Sequence, residues 1–166
     1  MDGSQETSVI QIHEIYIRAP AESIWEAITS PEWSARYGYR GIYDYELRPG
    51  GKFRVKANEG MIRHGLPETI IDGEVVECRP PHKLVQTYRF LFNDDFRQEG
   101  FSRMTFEIVD TGQGFCRLTV THDVTHQPLM GAATRSKFDL KSGGGGWNWI
   151  LSDLKSLLET GKTLSS

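Results

Sequence analysis

"SGGGGWNWILSDLKSLLETGK", residues 142–162, decides how the rest of the chain is read. Four consecutive glycines run into a tryptophan and then into an amphipathic helix. At 3.6 residues per turn Trp147, Ile150, Leu151, Leu154, Leu157 and Leu158 share one stripe, and Asn148, Ser152, Lys155, Ser156 and Glu159 lie outside it. Gly161 stands where a helix closes with a left-handed residue. A helix with one apolar face needs a sheet to lie on. The glycines allow a sharp entry into the helix and a close approach of its backbone to that sheet. A phosphate-cradling loop would need a preceding strand and a Lys-Ser/Thr pair at the helix start, whereas Trp-Asn-Trp follows here. Trp149 falls almost opposite the Trp147 stripe and calls for cover by the 125–141 connection, the amino-terminal tail or, preferred here, a second subunit.

The sheet is legible upstream. Val9–Arg18 ("VIQIHEIYIR") is β-branched and aromatic and stops at Ala19-Pro20, so it reads as a first strand. Pro20 suits the first turn of a helix whose buried face is Ile24, Trp25 and Ile28. Ser30-Pro31 opens a second short helix, predicted to run to about Tyr37 because Gly38 and Gly41 bracket a turn. From Ile42 to Asp123 the period becomes two. "IYDYELR" sets Tyr43, Tyr45 and Leu47 on one face, and beyond the "PGG" turn Phe53 and Val55 alternate with Lys52, Arg54 and Lys56, which predicts a hairpin. Residues 58–67 read as a loop, 68–77 as a strand, 79–83 as a turn and Leu84–Phe92 as the returning strand. After another polar loop, Ser102–Val109 and Phe115–Asp123 form a last hairpin across "DTGQG", and 125–141 is a long connection. Strands joined by turns too short for crossovers make an antiparallel sheet, which must coil to cover one helix. The predicted class is therefore α+β with a helix-grip fold: a curved antiparallel β-sheet wrapped around a long C-terminal α-helix, with two short helices after the first strand. Residues 9–162 are expected to form a single domain, between a disordered polar tail at 1–8 and a short tail at 163–166.

Composition narrows the function. With 166 residues the chain can bury a substantial core, and its net charge of −3 offers no basic footprint for nucleic acid. Cys78 and Cys116 are the only cysteines, too few for a disulfide scaffold and typical of thiols in a reducing compartment. The start, "MDGSQETS", lacks the charged-then-apolar pattern of a secretory signal, and no apolar run approaches the roughly 18 residues of a membrane helix. A cytoplasmic protein without membrane insertion is expected.

Several stretches carry a more specific resemblance. "IRAPAESIWEAITSPEW" resembles the opening of the START-like (SRPBCC) superfamily, where an Ala-Pro strand end precedes a helix with a Val/Ile-Trp pair. "LRPGGKFRV", "DGEVVECRPPHKLVQTY", "CRLTVTHDV" and "GGWNWILSDLKSLLETG" resemble the branch named for the carboxyl-terminal domain of the activator of heat-shock-protein ATPase. The five stretches occur in the family's order, from about Ile12 to Gly161. The resemblance implies a curved sheet gripping the last helix over a cavity that in relatives often holds a small hydrophobic molecule. Some relatives are cyclases or dehydratases and some carry ligands. The name-giving activator has an additional amino-terminal domain that the matched stretch lacks, so its co-chaperone role does not carry over directly.

Binding of a small hydrophobic ligand is the reading preferred here, with Tyr43, Tyr45, Phe53, Tyr88, Phe90, Phe106, His122, Trp147 and Leu151 as expected lining and residues 58–67 and 125–141 gating entry. The alternatives are an enzyme of polyketide cyclase or dehydratase type using the same cavity, and a chaperone- or partner-interacting module. His122 shares an inward face with Cys116, Leu118 and Val120. It is either a structural histidine or, in the enzyme reading, the general acid/base. His13 shares a face with Ile15 and Ile17 and could point inward, but Ile10 and Ile12 are out of phase with it, so either a bulge intervenes or His13 does not face the interior. His122 and His126 lie four apart where a strand ends, a spacing that converges on a metal only in a helix, so no metal site is expected, nor any cofactor. His64 and His82 fall in loops, Cys116 reads as a packed thiol, and Glu46, Arg48, Glu74 and Glu77 read as surface charges. The sequence lacks the clustered polar groups that catalysis needs, which favours binding.

Overall fold

The first strand, β1 (Ile10–Ile17), pairs antiparallel with the last, β7 (Cys116–Asp123). From β7 the sheet steps back along the chain through β6 (Ser102–Asp110), β5 (Lys83–Phe90), β4 (Thr69–Arg79) and β3 (Lys52–Lys56) to β2 (Ile42–Tyr45). The structure, a computed structural model, describes residues 7–135 and 145–165. The seven strands form one curved, unclosed antiparallel sheet with a long carboxyl-terminal helix, the predicted helix-grip class.

The register of β1 resolves the conflict in its sequence. Ile10 through Ile17 pair without a break with Asp123 through Cys116, so there is no bulge. Gln11, His13, Ile15 and Ile17 turn toward the core, and Ile10 and Ile12 face outward at 50% and 65% exposure. Helix α1 (Ala21–Thr29) buries Ile24, Trp25 and Ile28 as its spacing dictates. Helix α2 (Pro31–Ser34) is one turn long and does not reach Tyr37. That tyrosine is buried, and its hydroxyl donates to the Ala27 carbonyl at 2.9 Å. Ser30 occupies the cap position of α2, but its hydroxyl makes no capping bond. Strand β2 ends at Tyr45, so Leu47 leaves the alternation and is exposed.

Two segments read as loops contain single helical turns. Asn58 accepts the Met61 N–H at 2.9 Å and starts α3 (Glu59–Arg63), and Asn93 accepts the Phe96 N–H at 3.0 Å and starts α4 (Asp94–Glu99). In the 125–141 connection Pro128 opens α5 (Pro128–Thr134), and residues 136–144 lie outside those described. The expected tail at 1–8 also falls mostly outside them.

The terminal helix, α6 (Gly146–Thr160), is entered through Gly145 and Gly146 at φ of 70° and 67°, a region that a Cβ disfavours. It closes at Gly161, also left-handed, whose N–H returns to the Leu157 carbonyl at 2.9 Å. Trp147, Leu151, Leu154 and Leu157 are buried, Ile150 and Leu158 half-buried. Trp149, across the helix, is half-buried too. Asp153 is the surprise on this helix. It is fully buried, and its two carboxylate oxygens accept the Gly38 N–H at 2.9 Å and the Leu164 N–H at 2.7 Å.

Candidate functional site

A cavity of about 310 Å³ lies between the first turns of α6, strands β3 to β5, the 37–41 turn and the short helices α3 and α5. That is at the lower end of the range of small-molecule sites, roughly 300–1,000 Å³. Each element contributes apolar wall: Val55 from β3, Met61 from α3, Ile70 and Ile71 from β4, Phe90 from β5, Trp147 and Ile150 from α6. Phe53, behind this wall, organises the aromatic side, with Tyr45 stacked on it at 4.4 Å and Tyr88 and Tyr43 at 6.0 and 6.2 Å.

Four tyrosines line the space: Tyr37, Tyr39, Tyr43 and Tyr88. Tyr37 is committed to the Ala27 carbonyl, and the Tyr39 hydroxyl accepts the Gly146 N–H at 2.9 Å. The Tyr43 and Tyr88 hydroxyls bond to no side chain or backbone group among the described residues. Burial pushes the Tyr43 hydroxyl up to about 12, and burial together with Tyr43 and Tyr39 pushes Tyr88 well above the ordinary tyrosine value. Both therefore remain protonated and act as donors. Arg40, exposed and directed at the Ser165 hydroxyl at 3.2 Å, is the one charged side chain in the lining among the described residues.

Behind the wall runs a closed polar chain. His122 is fully buried on β7. Its Nδ1 receives the Trp147 indole N–H at 3.3 Å, and its Nε2 lies 2.7 Å from the Ser102 hydroxyl oxygen, which donates in turn to the Tyr88 carbonyl at 3.0 Å. These roles are mutually consistent only for a neutral ring protonated at Nε2. Burial, with repulsion from His13, lowers its pKa to about 4 against a weaker pull from Asp123. A second polar pair lies in the same region. The Tyr45 hydroxyl donates to Gln86 Oε1 at 2.6 Å, and Gln86 Nε2 is buried without a partner. His13 turns inward and meets Asn148 of α6 at 3.1 Å, with burial lowering its pKa. Among the described residues no group of three or more His, Cys, Asp or Glu side chains could hold a metal ion. No helix among them is long and apolar enough to cross a membrane.

The family described as activator of Hsp90 ATPase homolog 1-like protein matches residues 18–159. This chain belongs to the AHSA1 family. Comparison with the curated proteins gives no match. Among solved structures, MLL2253 from Mesorhizobium loti superposes with a TM-score of 0.64 at 21% identity, over 90% of this chain and 96% of that one. The Aha1 dimer from Colwellia psychrerythraea gives 0.62 at 19%, over 93% and 98%. CalU16 from Micromonospora echinospora gives 0.55 at 20% over 74% of this chain, which spans only 64% of CalU16. At these identities the likeness is one of fold.

Within this AHSA1-family fold, Tyr43, Tyr88, Phe90 and Trp147 of the expected lining meet at the cavity. Tyr45, Phe53, Phe106, His122 and Leu151 do not line it, and form or back the layer behind it. Phe106 packs edge-on against Trp147 at 6.0 Å, and His122 is separated from the space by Trp147 and Tyr88. The residues that sequence reasoning missed are those of the 37–41 turn and Val55, Ile70, Ile71, Phe92, Gly146 and Ile150. The register shift between Val55 and Lys56, which pair with Ile71 and Thr69, leaves Ile70 as the extra residue and lets both adjacent isoleucines border the cavity. Both free cysteines carry thiols pushed up by burial, which makes them poor nucleophiles.

Proposed function

We propose that the chain binds a small hydrophobic molecule in the cavity between α6 and strands β3 to β5. The observation that carries this reading is an apolar hollow of about 310 Å³ beside a core of fully buried side chains. Catalysis through His122 finds less support, since that ring has both nitrogens engaged and does not reach the cavity. The test is titration of the purified protein with N-phenyl-1-naphthylamine, a neutral apolar fluorophore, together with mass spectrometry of a solvent extract. A saturable single site, competed by any co-purifying molecule, is the expected result. A linear, unsaturable signal and an empty extract would remove the proposal.

A further inference from the structure

The two unpaired tyrosine hydroxyls say more about the occupant than the apolar wall does. Both belong to residues that line the cavity, where an occupant can reach them, and the other polar side chains of the lining are engaged within the protein. Tyr37 and Tyr39 are bonded within the protein, Thr134 donates to Gln11 at 2.9 Å, and Arg40 reaches Ser165. Tyr43 and Tyr88 flank the same ring, Phe53, at 6.2 and 6.0 Å between centroids, and both line the cavity. Each is protonated and can donate, so a single oxygen with two lone pairs can satisfy both at once.

Size and charge narrow the class. An engineered apolar cavity of about 150 Å³ accepts benzene, and this one, of about 310 Å³, has room for two or three fused rings. No carboxylate lines it among the described residues, and the guanidinium of Arg40 is at its exposed side. A charged group seated between Tyr43 and Tyr88 would meet only neutral donors. We infer that the cavity takes a neutral, flat molecule of two or three fused rings that presents a carbonyl oxygen to the Tyr43 and Tyr88 hydroxyls. This rests on the binding proposed above and adds the anchor and the ligand class.

The test compares fluorene with 9-fluorenone, the same frame with and without the carbonyl, by displacement of bound N-phenyl-1-naphthylamine. Two neutral hydrogen bonds in a desolvated site make fluorenone about tenfold tighter. Tyr43→Phe and Tyr88→Phe each reduce that preference severalfold, and the double variant abolishes it, with a cooperative urea unfolding transition as evidence that the variants fold. Equal binding of the two compounds to the parent protein, with the fluorophore still bound, would overturn the anchor and leave the cavity reading intact. So would a preference that survives in the double variant. Tighter binding of fluorene-9-carboxylate, lost in Arg40→Gln, would move the anchor to the cavity's exposed side and equally overturn it. Failure of the fluorophore to bind at all removes both readings together.

Discussion

The two ends of α6 face differently finished regions of one sheet. Around its carboxyl-terminal half Leu154 and Leu157 are 1% and 4% exposed, among Met104, Ile108, Leu118 and other buried side chains of β6 and β7. The polar groups there have partners. Asp153 receives two backbone N–H groups, and Glu159 accepts the Arg18 N–H at 2.9 Å and pairs with Lys155. Around the amino-terminal half Trp147 and Ile150 border the cavity, and the Tyr43 and Tyr88 hydroxyls there bond to no other group among the described residues. A region of fully buried side chains gains dispersion contacts that a hollow forgoes. One half of the grip is thus finished for stability, and the other gives up stability for room. His122 stands at the border, holding the Trp147 indole that forms part of the cavity wall.

The contrast is tested hardest at Asp153. Asp153→Ala removes a fully buried carboxylate that two backbone N–H groups bond and should cost about 4 kcal/mol, from two hydrogen bonds to a charged acceptor. Urea unfolding measures it, and a loss below about 1 kcal/mol would mean that the finished half does not depend on this carboxylate. The next effect is a pH dependence at the border. The folded His122 pKa of about 4 lies below the ordinary 6.5, so between those values the unfolded chain takes up a proton that the folded one refuses. Stability therefore falls as pH drops from 6.5 toward 4, by about 3 kcal/mol in all. His122→Gln, which keeps a donor and an acceptor at the site, should flatten that slope relative to the parent. Identical slopes would show that the histidine is not held neutral by the fold.

Periodicity carried most of this fold into view. The α6 stripe, the β2–β3 hairpin and the buried face of α1 are local patterns, and each can be read within ten or twenty residues. The two Asn-capped turns are local as well, and Asn58 and Asn93 were the signals for them. The partners of Asp153 are not local. An aspartate in an amphipathic helix reads as solvated, and only the fold brings it Gly38, 115 residues away, and the chain after the helix. The cavity is illegible for a related reason. Tyr45, Phe53 and Phe106 lie on the face that the alternation assigns to the interior, yet which inward side chains border a hollow and which fill it depends on how distant strands interdigitate. Periodicity identifies a face and says nothing about the volume left over it.

The smallest expected effect separates the two halves most directly, because it applies one chemical change to both. Ala27 on α1 is fully buried, whereas Ala133 on α5 borders the cavity. Three added carbons at Ala27 have no space to enter, so Ala27→Leu should cost about 2 kcal/mol through displaced neighbours. The same carbons at Ala133 can extend into the hollow, where they gain contacts and displace no side chain, so Ala133→Leu should leave the unfolding midpoint unchanged or raise it. It should also weaken binding of the fluorophore by occupying part of its volume. Equal destabilisation by the two substitutions would mean that the hollow closes in solution, and the division of the grip into a packed half and an open half would not hold.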